Sequence, residues 1–281
     1  MTFRSFNLYL AFLLTSFHAN ALIRALDTAA TGMAAQEAQL STISNNIANS
    51  STTGYKVQRT EFQDLIYETV VTPGGRSSGN TQYNVGVQVG SGAKIKATRR
   101  LHSMGSPQVT NNPYDLMIFG DGFFAVQMRD QIFYTRDGSF TVNAQGVLQT
   151  KDGNQLLPQI TLPPATKTLV ISQDGKVQAY LTSQTEPVEL GQIPVYTFVN
   201  PAGLIDIGGN LARVTPASGE PIQNVAGSNN AGAIQQGSIE TSNVNTMTEM
   251  TNMIKAQRAF EMNSKVLSVA DQMLQTINQV R

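Results

Sequence analysis

Apolar residues recur at helical spacing near the two ends of the chain and at strand spacing between them. A heptad rhythm runs from residue 26 to residue 47, with Gln36 as its one polar interruption. A second rhythm begins after Thr246 and Glu249, whose T-x-x-E spacing is that of a capping box, and its polar interruption is Asn263. The pattern predicts two long helices, each with one narrow apolar stripe.

The middle of the chain, from about residue 83 to residue 245, has no helical periodicity. Its short apolar runs alternate with Asp-Gly, Asn-Ala-Gln-Gly and Pro-Ala-Gly sequences, which favour turns between antiparallel strands. The stretch 72–92 is rich in Gly, Ser and Asn, and predicts a flexible or contact-forming loop. The predicted fold class is α+β: long N- and C-terminal α-helices forming a coiled-coil core domain, with a central antiparallel β-rich barrel-like domain.

These patterns divide the chain into five predicted segments. They are a leader-like extension (1–21), the N-terminal helix of the core domain (22–70), an extended loop with a connecting β segment (71–115), the central β-domain (116–235) and the C-terminal helix of the core domain (236–281). Residues 1–21 carry an apolar run and end in Ala-Asn-Ala, a small-x-small pattern typical of a signal-peptidase site. The segment is either a cleavable leader or upstream sequence translated from a misplaced start codon.

Neither predicted helix has a sequential neighbour to pack on. Each is therefore expected to pack on the other or on the same element of another copy; the alternative is a helical hairpin inside one monomer. The segment SNNIANSSTTGYK (44–56) ends the first helix, and its asparagines exceed what one helix cap needs, so their amides are candidates for contacts with neighbouring chains. The predicted subunit-interface residues are Leu26, Met33, Leu40, Ile43, Asn45, Asn46, Ile47, Asn49, Met253, Phe260, Leu267, Leu274 and Ile277.

Composition and charge remove several classes of function. The formal net charge is zero and 14% of residues are charged, so there is no basic surface for nucleic acid. The absence of cysteine excludes disulfides, zinc–thiolate sites and thiol nucleophiles. Neither His18 nor His102 lies in a catalytic motif, and four aspartates precede glycine as hairpin turns require: Asp121, Asp137, Asp152 and Asp174. We predict no catalytic residues, cofactor, metal site or membrane span; the protein is not expected to be an enzyme.

Both ends of the chain resemble the axial proteins of the bacterial flagellum. SNNIANSSTTGYK is similar to the N-terminal signature of the rod and hook family, and ETSNVNTMTEMTNMIKAQRAFEMNSKVLSVADQML is similar to its C-terminal signature. Between them, GDGFFAV, YTRDGSFTVNAQGVLQT and GGNLARVTPASGEP resemble the β-domain of the family. The length after Leu22 and the 72–92 loop resemble the distal-rod branch; a proximal-rod or hook-family paralogue is the main alternative, followed by a secreted fibre or adhesin subunit.

The resemblance implies a structural subunit that polymerises into a rigid hollow helical shaft across the periplasm and transmits torque to the hook. It implies export through the flagellar type III apparatus without a cleaved signal. The implied partners are further copies of the chain, proximal-rod proteins, the hook protein, the surrounding P and L ring proteins and the export apparatus, with no nucleic acid. The 72–92 loop is expected to brace adjacent subunits.

Overall fold

The computed structural model describes residues 3–74, 76–78, 81–82, 84–182 and 186–279, and the side chains of 23–74, 84–182, 186–276 and 279. Helix α1 spans Phe3–Ala48 and helix α2 spans Thr246–Gln279. No helix in these ranges is both long and apolar enough to cross a membrane. The contact pattern divides the chain into a first unit (1–45, 59–99 and 247–281) and a second unit (46–58 and 100–246). The five segments drawn from the sequence, including the leader, stay predictions.

The strands between residues 58 and 100 form a nested two-stranded ribbon. They are β1 (Gln58–Asp64), β2 (Tyr67–Val71), β3 (Arg76–Ser78), β4 (Thr81–Gln82), β5 (Val87–Gly90) and β6 (Ala93–Arg100). Strand β1 pairs with β6, β2 pairs antiparallel with β5, and β3 pairs antiparallel with β4. Strand β5 therefore lies within the stretch that the composition predicts to be a loop. The Thr42 and Thr60 hydroxyl oxygens, 2.8 Å apart, join α1 to β1.

The buried apolar side chains on the inner faces of the two helices are mostly small. On α1 the buried apolar residues are Ala29, Ala35 and Ile43, and on α2 they are Ala256 and Ala270. Gly32 of α1 lies so close to α2 that an added Cβ atom would stand 2.8 Å from the Asn263 amide nitrogen. The Asn263 side chain occupies the space over Gly32, which is open because glycine has no side chain.

The second unit is built from short strands in several sheets. Its strands are β7 (Pro107–Val109), β8 (Leu116–Phe119), β9 (Phe124–Met128), β10 (Gln131–Thr135), β11 (Phe140–Val142), β12 (Leu148–Thr150), β13 (Gln155–Leu157), β14 (Thr166–Ile171), β15 (Lys176–Leu181), β16 (Val188–Gln192), β17 (Val195–Thr197), β18 (Ile205–Gly208), β19 (Leu211–Arg213), β20 (Ile222–Asn224), β21 (Ala233–Gln236) and β22 (Ser238–Glu240). A seven-stranded sheet has the order β11-β12-β13-β9-β10-β19-β18. The others are β14-β15-β16, β17-β20, β21-β8 and β22-β7, and a 3₁₀ turn spans Pro201–Gly203.

Strand β9 is buried on both faces because its side chains alternate between two cores. Phe124 and Val126 belong to the larger core, where the Phe124 and Phe140 rings meet edge to face with centroids 5.3 Å apart. Phe123 and Ala125 point to a smaller core shared with Tyr134, Phe198 and their neighbours. Strand β9 is therefore an internal strand of the second unit.

The predicted fold class is wrong. The described residues contain one helix at each end and strands for most of the rest, and they show no coiled-coil core domain. Coiled coils need large side chains in the seam, but the large heptad residues of α1 other than Ile43 are half-buried, and the other buried apolar residues described on this helix are alanines. Nor is the sheet a closed barrel, because the seven-stranded sheet has free edges at β11 and β18.

Candidate subunit interface

The predicted interface residues of α1 and the turn after it differ in burial. Ile43 and Asn46 are buried, and Asn45 is exposed. The remaining members are half-buried: Leu26, Met33, Leu40, Ile47 and Asn49. The structure thus places two of these residues inside the chain. Their role in contacts between copies stays a prediction.

On α2 none of the predicted interface residues with a described side chain is fully buried. Phe260 is 36% exposed. Three others are half-buried, namely Met253, Leu267 and Leu274. The side chain of Ile277 lies outside the described residues. The most exposed apolar residues of α2 are others, among them Met247, Ile254 and Met262.

The asparagines that flank the helices bond within the chain. The Asn46 side-chain oxygen accepts hydrogen bonds from the Gln58 backbone N–H at 2.9 Å and the Tyr55 hydroxyl at 3.0 Å, while its amide nitrogen donates to the Gln58 carbonyl at 2.8 Å. Near the other end, the Asn243 side-chain oxygen accepts from the Val57 backbone N–H at 2.7 Å, and its amide nitrogen donates to the Leu101 carbonyl at 2.9 Å. The residues after α1 are therefore fixed to the residues before α2.

A buried ionic cluster lies beside these amides. Glu240 is 2% exposed, and its two carboxylate oxygens accept from the Lys56 ammonium at 2.6 Å and from the Arg136 Nε at 2.9 Å. The Gly105 backbone N–H also donates to Glu240, at 2.8 Å. Arg136 donates further to the Gly120 and Gly122 carbonyls. Two cations and one anion are thus held out of water by a nearly complete set of hydrogen bonds.

Burial governs the proton affinities around this cluster. It lowers the pKa of Lys56, and the nearby Arg136 cation acts in the same direction, while Glu240 opposes both. The pKa of His102 is lowered to about 4, first by burial and then by the charges of Lys56, Arg100 and Arg136. His102 packs edge to face on Phe123, with centroids 5.6 Å apart, and lines a cavity of about 370 Å³ together with Lys56. A neutral imidazole therefore stands beside the cluster at neutral pH.

Three family models match separate parts of the chain. "Flagella basal body rod protein" matches residues 26–56, "Flagellar hook protein FlgE/F/G D1 domain" matches 117–179, and "Flagellar basal body rod FlgEFG protein C-terminal" matches 235–280. The chain is 43% identical over 260 residues to the flagellar basal-body rod protein FlgG of Buchnera aphidicola, covering 92% of this chain and 100% of the relative. It is 44% identical to FlgG of Caulobacter vibrioides and of Borreliella burgdorferi, each over 92% of this chain and at least 99% of the relative.

The chain belongs to the FlgG family of flagellar basal-body rod proteins. The resemblance inferred from the end signatures is thereby confirmed. Members of the FlgG family are structural proteins of the flagellar basal-body rod, and the predicted location in that rod is confirmed as well.

The ionic cluster connects the N-terminal and C-terminal family segments of this FlgG-family chain. Lys56 closes the segment matched by the N-terminal family model, and Glu240 lies within the segment matched by the C-terminal one. Both residues lie in the signatures recognised from the sequence, but neither was predicted to have a role. Burial of a charge is not visible in hydrophobic periodicity. The available signal was the lone charge of Glu240, because no other residue between positions 221 and 248 is charged.

The ribbon and α2 carry most of the exposed large apolar residues described in the first unit. On the ribbon, Ile66 is 87% exposed and Val85 is 79% exposed, and Val70 and Val87 are also exposed. A two-stranded ribbon has no layer of its own with which to cover such side chains. Exposed apolar surface of this kind marks contacts with other protein.

Proposed function

We propose that the protein is a structural subunit of the distal part of the flagellar rod. Its copies polymerise into a hollow helical shaft that crosses the periplasm and transmits torque to the hook, and it performs no catalysis. Membership of the FlgG family over 92% of the chain carries this proposal. Its partners are further copies, the proximal-rod proteins, the hook protein, the P and L ring proteins and the export apparatus. The predicted residues of α1 and α2 contribute to the contacts between copies.

Electron cryomicroscopy of basal bodies tests this proposal directly. A strain that lacks the gene should assemble the proximal rod and stop there, with no hook, and the full chain supplied in trans should restore rod length and swimming. A rod of normal length in the deletion strain would contradict the distal assignment. A strain whose rod is missing from its base would point instead to a proximal-rod protein.

The ribbon is the part of the molecule best suited to stiffen such a shaft. Its exposed apolar side chains need a cover, and an adjacent subunit supplies one. Because the strand pairs are nested, the ribbon can be shortened without breaking β2–β5: residues 72–86 are replaced by an Asn-Gly turn that joins Val71 to Val87, which pair across the ribbon.

The stiffness of isolated shafts, measured from their curvature, tests whether the ribbon braces adjacent subunits. The shortened ribbon should give shafts that bend more than wild-type shafts. A matched control replaces the exposed Val199 of the second unit with Thr, which should leave the curvature unchanged. Shafts of normal stiffness with the shortened ribbon would refute the bracing role.

A further inference from the structure

Helix α2 has a second apolar face opposite the one it buries. Its inner face is marked by Ala256, Asn263 and Ala270 at intervals of seven residues. Large exposed apolar side chains recur on the other side at intervals of seven, eight, seven and four residues, namely Met247, Ile254, Met262, Val269 and Met273. Met262 is 64% exposed and Met247 is 76% exposed. A helix buried on one side only would carry polar residues here.

This outer face of α2 is also basic. Lys255, Arg258 and Lys265 are exposed on it, with Glu261 as the single acidic residue. Among the salt bridges of the described residues, none involves these three cations. The surface therefore combines uncovered apolar area with three unpaired positive charges.

The outer face of α1 has the opposite charge. Its exposed residues recur at 23, 27, 30, 34, 37, 41, 45 and 48, the three-and-four spacing of one helix face. The charged members of this face are Asp27 and Glu37, both acidic. The one nearby cation, Arg24, is paired with Glu68. The side chains between the acids are short, so a second helix can come close.

We infer that the outer face of α2 in one copy docks on the outer face of α1 in a second copy of this chain. Charge complementarity selects this occupant, because the acidic face of α1 matches the basic face of α2 and the Met-rich surface gains an apolar cover. The two surfaces differ, so the contact is head-to-tail and propagates into an open assembly. The inference rests on the proposed polymer, and it assigns contacts to the faces opposite those on which the two helices bury their alanines.

The charges also restrict the register of the contact. Asp27 and Glu37 are ten residues apart, as are Lys255 and Lys265. Pairing both acids with both lysines leaves two alignments. Parallel helices bring Ala34 opposite Met262, and antiparallel helices bring Ala34 opposite Arg258.

Disulfide trapping tests this contact in assembled basal bodies, because the chain has no cysteine of its own. Double variants carry Ala34→Cys with either Met262→Cys or Arg258→Cys, and the matched control carries Ala34→Cys with Asp271→Cys, an exposed position on the other side of α2. After oxidation, one of the first two should give a ladder of covalent multimers and the control only monomer. Swimming cells with no ladder from either pair would overturn the inference and leave the proposed rod function standing.

Charge reversal provides an independent readout. Asp27→Lys with Glu37→Lys should abolish swimming while the chain is still exported, and the further changes Lys255→Glu and Lys265→Glu in the same chain should restore it. Export is checked by immunoblot of the secreted fraction. An exported fourfold variant that remains non-motile would refute the pairing. If the wild-type chain itself failed to restore swimming to a deletion strain, the proposed function would fail instead.

Discussion

Replacement of Glu240 by Gln should strongly destabilise the second unit. The substitution preserves the shape of the side chain and removes only its charge. Lys56 and Arg136, whose side chains are 3% and 4% exposed, would then lose their shared counter-ion without gaining access to water. The variant therefore isolates the energetic role of the buried charge.

The expected magnitude follows from the hydrogen bonds of Glu240. One carboxylate oxygen accepts from Lys56 and the Gly105 N–H, and the other accepts from Arg136. An amide keeps one acceptor oxygen, so its NH₂ group must face at least one of these donors. Breaking a buried ion pair by removing one partner costs about 3–5 kcal/mol. At about 2–4 °C per kcal/mol for a chain of this size, the Tm should fall by roughly 6–20 °C.

The pH dependence of the free energy of unfolding distinguishes the loss of a buried charge from a packing defect. Burial holds the pKa of Lys56 below its unfolded value, so the unfolded chain binds more protons between those two pKa values and stability rises with pH across that window. Loss of Glu240 removes an interaction that raises the pKa of Lys56, and the window widens. The deficit of the variant should therefore shrink as the pH is raised toward the ordinary lysine pKa of 10.5.

Thermal unfolding of the purified full chain, followed by circular dichroism in the β-sheet region, measures both effects. Glu220→Gln is the matched control, because Glu220 is exposed and its neutralisation should change the free energy of unfolding by less than about 0.5 kcal/mol. A Glu240→Gln variant that melts within experimental error of this control would refute the reasoning. So would a deficit that is independent of pH.

Three further substitutions test other features of the second unit. His102→Gln should flatten the fall of Tm between about pH 6.5 and pH 4, because the folded pKa of about 4 lets the unfolded chain bind the proton at a higher pH than the folded chain does. The difference in the free energy of unfolding reaches about 3 kcal/mol at the acid end of this range. An equal fall of Tm with pH in the variant and the wild type would contradict this prediction. Asn46→Ala should lower the free energy of unfolding by about 1–3 kcal/mol in urea titrations, whereas Asn49→Ala, at a half-buried amide, should cost less. Gly138→Ala should prevent stable folding, as judged by protease resistance, because its Cβ would lie 1.5 Å from the Leu116 carbonyl oxygen.

Local turn chemistry was the part of the fold that the sequence predicted best. Asp152-Gly153 and Asp174-Gly175 lie in the turns that join β12 to β13 and β14 to β15, and both glycines have φ of 84°. The same dipeptide at Asp137-Gly138 joins two strands that do not pair with each other. Glycine is needed there because the Leu116 backbone passes too close for a side chain, a long-range contact that no local pattern encodes.

Periodicity predicted helices at both ends but misjudged what those helices cover. Along the predicted heptad stripe of α1, Ala29 and Ile43 are buried, whereas Leu26 and Met33 are half-buried. The buried face of α1 contains mostly small residues, because Gly32 packs closely against Asn263 of α2. Small residues contribute little to a hydrophobic pattern, and a seam made of them is therefore hard to find from periodicity alone.

The polar end signatures contain long-range hydrogen bonds that the sequence did not predict. The side chains of Asn46 and Asn243 form hydrogen bonds within the chain, beside a salt bridge that joins residues 184 positions apart. Polar groups that already have hydrogen-bond partners inside one subunit are less available for contacts with another. What a neighbouring copy meets is the remainder: the uncovered apolar and charged faces of α1, α2 and the ribbon. In a protein built to polymerise, the exposed apolar side chains of the single chain are therefore better guides to assembly than its most recognisable motifs.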